Sequence, residues 1–122
     1  MSGVLQPGGY VQGTPTDTPG GAETSVLGGS DGLDCVGNQN FIFTVRNPVG
    51  SGGPITALHL YKSPNDPADL TEDTTATMGL VPIPAGSVVW FALENEPLGK
   101  IRVTVDSALP LTGVVVSVRG GR

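Results

Sequence analysis

Few residues in this chain are of types that do chemistry. His59 is the only histidine and Cys35 the only cysteine. Nucleophilic catalysis needs a nucleophile, a base and an orienting acid close in space. Here no residue stands out as the nucleophile, and no Gly-x-Ser-x-Gly elbow is present. His59 lies between Leu58 and Leu60, so in a strand it points away from the face those leucines share. It reads as a surface or interface histidine. A lone thiol is a good nucleophile only where a basic setting lowers its pKa, and Asp31 and Asp34 beside Cys35 oppose ionisation. Cys35 reads as a small buried apolar residue, with an intermolecular disulfide as the alternative. One cysteine excludes an internal disulfide framework and a multi-cysteine metal site.

Asp66, Asp69, Glu72 and Asp73 supply the oxygen ligands that Ca²⁺ prefers. Their spacing does not follow the EF-hand pattern, and they read as solvated loop carboxylates, as do Asp31 and Asp34. Trp90 and Phe91 offer rings on which a sugar could stack. They lie in the most apolar run of the chain, Val88–Leu93, which favours a tryptophan in the core or at a subunit interface. No catalytic residue, cofactor or metal is expected.

The elements that would position these residues divide the chain in two. Residues 1–38 hold ten of the 19 glycines, three of the 11 prolines and no Lys or Arg. They read as an extended Gly/Pro-rich N-terminal arm. Small apolar groups punctuate it at Val4-Leu5, Tyr10-Val11 and Val26-Leu27, where a pure linker would have none. Val4, Leu5, Tyr10, Val11, Val26 and Leu27 are therefore the candidate partner-binding anchors. Their side chains alone do not offset the cost of ordering so long a backbone. The arm is expected either to stay partly mobile or to be held by added main-chain hydrogen bonds, as in strand addition.

Residues 39–122 alternate apolar and polar positions in short runs between Pro/Gly turns. Strands are expected over Phe41–Arg46, Ile55–Lys62, Thr75–Val81, Val88–Leu93, Ile101–Asp106 and Val114–Val118. Leu58, Leu60, Ile101, Val103, Val105, Val114, Val116 and Val118 should face inward. The nearly continuous apolar run at 88–93 is consistent with a strand covered on both faces, and residues 63–74 with a polar acidic loop. The fold class is all-β: a small β-sandwich or barrel of about six to eight short antiparallel strands with an extended N-terminal arm.

Charge narrows the partners. Eleven acidic and six basic residues leave a net charge of −5, and Asp17, Glu23, Asp31 and Asp34 supply four of those negative charges from the arm. Arg46, Lys62, Lys100, Arg102, Arg119 and Arg122 are scattered, whereas phosphate backbones call for clustered cations. Nucleic acid is not an expected partner. The start has neither a basic nor an apolar signal region, and no apolar run is long enough to form a spanning helix. Synthesis in a cytosol and no membrane partner are the expectation.

Three strings give the body its character: Leu58-His59-Leu60-Tyr61-Lys62-Ser63-Pro64, Ile83-Pro84-Ala85-Gly86-Ser87 and Ile101-Arg102-Val103-Thr104-Val105. On these the chain resembles small β-rich virion proteins of tailed bacteriophages, most of all capsid decoration, or cement, proteins. The likeness spans residues 58–118, with the arm similar in character. It implies a homo-oligomer, a trimer by preference, on the outer capsid surface of a virion. There it would clamp the major capsid protein or other virion subunits against the pressure of packaged DNA. A head–tail connector, tail or fibre attachment module is the neighbouring alternative. A carbohydrate-binding β-sandwich module is the alternative of a different class, and it requires exposed aromatics or a Ca²⁺ site.

Overall fold

The computed structural model describes residues 3–64 and 69–122. Asp66 lies outside the described residues. Among them are ten strands and no α-helix: β1 (Tyr10–Gln12), β2 (Thr16–Thr18), β3 (Thr24–Leu27), β4 (Leu33–Asp34), β5 (Asn40–Asn47), β6 (Ala57–Ser63), β7 (Thr71–Glu72), β8 (Ser87–Leu93), β9 (Lys100–Asp106) and β10 (Leu111–Gly121). They form two five-stranded antiparallel sheets. The first runs β1-β10-β5-β8, with β2 also on β10; the second runs β3-β9-β6-β7, with β4 also on β9. The two sheets pack face to face as a β-sandwich, as the alternating pattern requires.

Alternation explains the core. Phe41, Phe43 and Val45 of β5, Phe91 and Leu93 of β8, and Val114, Val116 and Val118 of β10 point inward from the first sheet. Leu58, Leu60, Ile101, Val103 and Val105 meet them from the second. Phe43 and Phe91, partners in the β5–β8 register, stack with ring centroids 4.7 Å apart. Every body residue expected to face inward is buried.

The N-terminal segment departs from expectation. Residues 3–38 are not an arm separate from the body; they contribute β1 to β4, which is why the strands number ten. β1 and β2 pair with β10, and β3 and β4 with β9. The main-chain bonds that an extended segment needs are supplied within the same chain: Leu5 N–H donates to Asp34 O at 2.7 Å, Gly13 N–H to Val116 O at 2.7 Å and Gly120 N–H to Gly9 O at 2.9 Å. Gln6-Pro7-Gly8-Gly9 makes a tight turn, closed by Gly9 N–H on Gln6 O. Pro at the second turn position and Gly8 at φ 72° in the third suit a type II turn. At Gly13 the chain passes so close to both sheets that a Cβ would lie 2.4 Å from Val116 O and 2.8 Å from Val26 O.

Asn38 locks this segment down. Its buried amide Nδ2 donates to the carbonyls of Leu5, Gln6 and Cys35, and its Oδ1 accepts Gly8 N–H at 3.0 Å. These bonds replace the water that the segment's turn would otherwise need.

Two further expectations are corrected. Thr75–Val81 is not a strand. Asp73 Oδ1 accepts the N–H groups of Thr75 and Ala76 and folds the chain into successive turns. The Val88–Leu93 strand is covered on one face within this chain, since Val88, Trp90 and Ala92 point to solvent.

If the N-terminal segment is structural, Leu5→Ala will act as a core truncation. Leu5 is 0% exposed, and the expected loss is about 2–5 kcal/mol, comparable with Leu60→Ala. Urea denaturation monitored by circular dichroism reads this, and deletion of residues 2–30 should abolish the cooperative transition.

Candidate binding surfaces

The outward residues of the first sheet make one broad face. The register aligns them in rows: Tyr10–Arg119–Ile42–Ala92, then Gln12–Ser117–Thr44–Trp90, then Val115–Arg46–Val88. No carboxylate stands in these rows. Trp90 is 66% exposed, Tyr10 53%, Ile42 48% and Val88 47%. Arg119 lies over the Tyr10 ring, 5.2 Å from its centroid, which leaves Trp90 as the open aromatic. The apolar side of this face coincides with the β8 edge. β8 pairs with β5 alone, and among the described residues no strand lies beyond it. Over Ser87–Leu93 it carries no charge, proline or glycine.

The outer face of the second sheet is different in kind. His59 projects outward from β6, as its position between two leucines requires. Its Nδ1 is 2.6 Å from Glu72 Oε2 and its Nε2 3.4 Å from Glu23 Oε1. A neutral imidazole has one N–H and can donate to one of these carboxylates; the imidazolium can donate to both. Tyr61 Oη donates to Glu23 at 2.9 Å, and Arg102 lies 5.4 Å from the Tyr61 ring centroid. Burial and the Glu23 bond push the Tyr61 phenol above its ordinary pKa. The cluster joins β6 to β7 and to the start of β3. Its geometry is that of a cross-strand ion pair network, and the residue opposite His59 on β9 is Thr104.

A second ion pair pins the loop after β7. Lys62 Nζ donates to Asp73 Oδ2 at 2.8 Å and to Glu96 Oε1. Burial works against the Lys62 ammonium, but the bonds to Asp73 and Glu96 outweigh it and raise its pKa. The same lysine bond, against some opposition from burial, holds the Asp73 carboxyl below its usual value.

The other candidate residues fall as follows. Leu5, Val26 and Leu27 are buried in the chain's own core, Val11 is half-buried, and Val4 and Tyr10 are exposed. Cys35 is buried, with its Sγ 3.5 Å from Leu98 O as a weak donor. Burial and the neighbouring Asp34 push its thiol up to about 12, against a smaller opposing effect of Lys100. Asp69, Glu72, Asp73, Asp31 and Asp34 do not converge; among the described residues no three acidic, histidine or cysteine side chains are placed to hold a metal ion. The structural role of Asn38 was not legible beforehand, because a single asparagine beside glycine is also an ordinary turn signal. Compared with family models, curated proteins and solved structures, the chain matches none of them.

Two outcomes follow from these environments. Cys35 should resist a thiol-specific disulfide reagent in the native protein and react fully once the chain is unfolded; rapid native labelling would contradict its burial. Asp73→Ala should cost about 1–2 kcal/mol at neutral pH. Because the Asp73 pKa is lowered by folding, its contribution is present above the unfolded value of ~3.9 and fades as pH falls through the folded one. Wild type and variant should therefore converge in strong acid, as read by denaturation at a series of pH values.

Proposed function

We propose that this chain is a structural assembly protein that decorates and stabilises a bacteriophage capsid, in many copies on the outer surface of the shell. The observation that carries the reading is the unguarded side of the sandwich. A seven-residue edge strand without charge, proline or bulge is a template for pairing with another chain. Beside it lies a face bearing Trp90, Ile42 and Val88, residues that monomers rarely expose together. Both features suit attachment to a broad partner surface. The partners are the major capsid protein and further copies of this chain, and repetition over a shell multiplies weak individual contacts.

The gripping element differs from the one the sequence favoured. Leu5, Val26 and Leu27 serve the chain's own core, so attachment falls to β8 and the face beside it rather than to an N-terminal arm. Quantitative mass spectrometry of purified particles should find this protein in hundreds of copies per head. A handful of copies would move it to a connector, tail or fibre position, and absence from particles would overturn the reading.

One observation favours a second reading, a carbohydrate-binding module. Trp90 is open to solvent on a face that also presents Gln12, Thr44 and Arg46, which is the composition of a sugar platform. Titration with soluble polysaccharides, followed by tryptophan fluorescence, separates the two. Saturable quenching of Trp90, the single tryptophan, together with a calorimetric binding signal that Trp90→Ala abolishes, would support sugar binding and count against the assembly reading.

A further inference from the structure

The assembly reading leaves open what covers the β8 edge. We propose that a second copy of this chain does, by antiparallel pairing of β8 with β8 about a twofold axis at Trp90, which extends the first sheet continuously across both molecules. This inference rests on the assembly reading and specifies its first contact.

The register follows from the strand itself. In an antiparallel pair, residues facing one another share a face of the sheet. The arrangement that pairs all of Ser87–Leu93 with its copy places Trp90 opposite Trp90 and Val88 opposite Ala92. Sliding it by one step in either direction leaves ends unpaired, and one of the two slides sets Glu94 against Val88. In the full register every facing side chain is uncharged, and the solvent-side row of each strand is Val88, Trp90 and Ala92. A twofold axis makes such a patch self-complementary, as the commonest homodimers require.

Charge placement selects a second copy over a foreign acidic surface. The chain carries −5 overall, so two copies repel unless they meet where carboxylates are sparse. Asp17 and Asp34 lie in β2 and β4, on the edges of the two sheets formed by the N-terminal strands. Glu23 and Glu72 lie with His59 on the outer face of the second sheet. Around β8 the nearest strand neighbour instead offers Arg46, the partner of Val88 in the β5–β8 register. With strands about 4.8 Å apart and residues about 3.4 Å apart along them, Glu94 of one copy comes within side-chain reach of Arg46 of the other. The pairing thus gains two symmetric attractive contacts at its rim.

The experiment uses the full-length chain. Light scattering during size exclusion should give twice the 12.4 kDa chain mass, and sedimentation over a dilution series should give a dissociation constant. Trp90→Glu sets two carboxylates against each other on the axis and should weaken the dimer roughly thirtyfold or more. The position is open to solvent in the single chain, so at concentrations where both proteins are monomeric the variant should unfold at the wild-type denaturant midpoint.

Cysteine substitution then tests the register. Trp90→Cys should cross-link to itself on mild oxidation. Val88→Cys and Ala92→Cys should each cross-link poorly alone and efficiently when mixed. The wild type, with Cys35 buried, is the blank. A monomer at all concentrations, a trimer, or a dimer unaffected by Trp90→Glu would overturn the proposal. So would efficient self-linkage of Val88→Cys. None of these results would change the copy number found on particles, so this inference and the assembly reading can fail separately.

Discussion

The structure depends on how the N-terminal segment closes the sheets. β9 and β10 are long, valine-rich strands whose inner faces make much of the core. Without residues 3–34 both would be edge strands, with rows of unpaired amide and carbonyl groups beside apolar side chains. β1 and β2 satisfy one and β3 and β4 the other. Asn38 secures the entry of the segment by bonding the carbonyls of Leu5 and Gln6 and the amide of Gly8, 30 to 33 residues away, together with the nearby carbonyl of Cys35. A buried amide satisfied on both its ends is worth more than its bonds taken singly, because removing it strands each partner.

This explains why a chain so rich in glycine can fold. Glycine costs entropy wherever it is ordered, and Gly28 and Gly13 show the return. At Gly28, with φ 91°, an added Cβ would lie 2.7 Å from Ile101 O and 2.8 Å from Leu33 N. The backbone is therefore drawn closer to the neighbouring strand than a side chain would permit. Short strands separated by tight turns can then follow the long ones closely, where a bulkier segment would stand off.

The body was legible because period-two alternation is a strong signal when one face is buried. Ile101, Val103 and Val105 obey it without exception. The N-terminal segment was not legible, because glycine and proline mark a flexible linker and a run of tight turns alike. Its apolar pairs held more information than their anchor reading used. Val4 and Leu5 point to opposite sides, one exposed and one buried, as strand neighbours should. Val26 and Leu27 are both buried because the β3–β9 register shifts between Ser25 and Leu27, and a bulge turns consecutive residues to the same side. Thr75–Val81 carries strand-prone residues, but Asp73 offers its backbone a competing set of bonds. The apolar run at β8 misled in another way: composition records that both faces are apolar, not that this chain covers both.

The last point links the fold to its use. Three of the sandwich's four lateral edges end in strands of only two to four residues, β1 and β2, β3 and β4, and β7. The fourth is left apolar and uncharged. Protecting it would take a single lysine or proline, and such residues occur nearby at Pro84 and Pro97 but not within the strand. Where the other edges are kept short, this seven-residue uncharged edge is the feature on which the proposed pairing with another subunit rests. In the proposed pairing Asp17, Asp34, Glu23 and Glu72 lie away from this edge, and Glu94 at its end would face Arg46 of the other copy, so charge would favour association on this side.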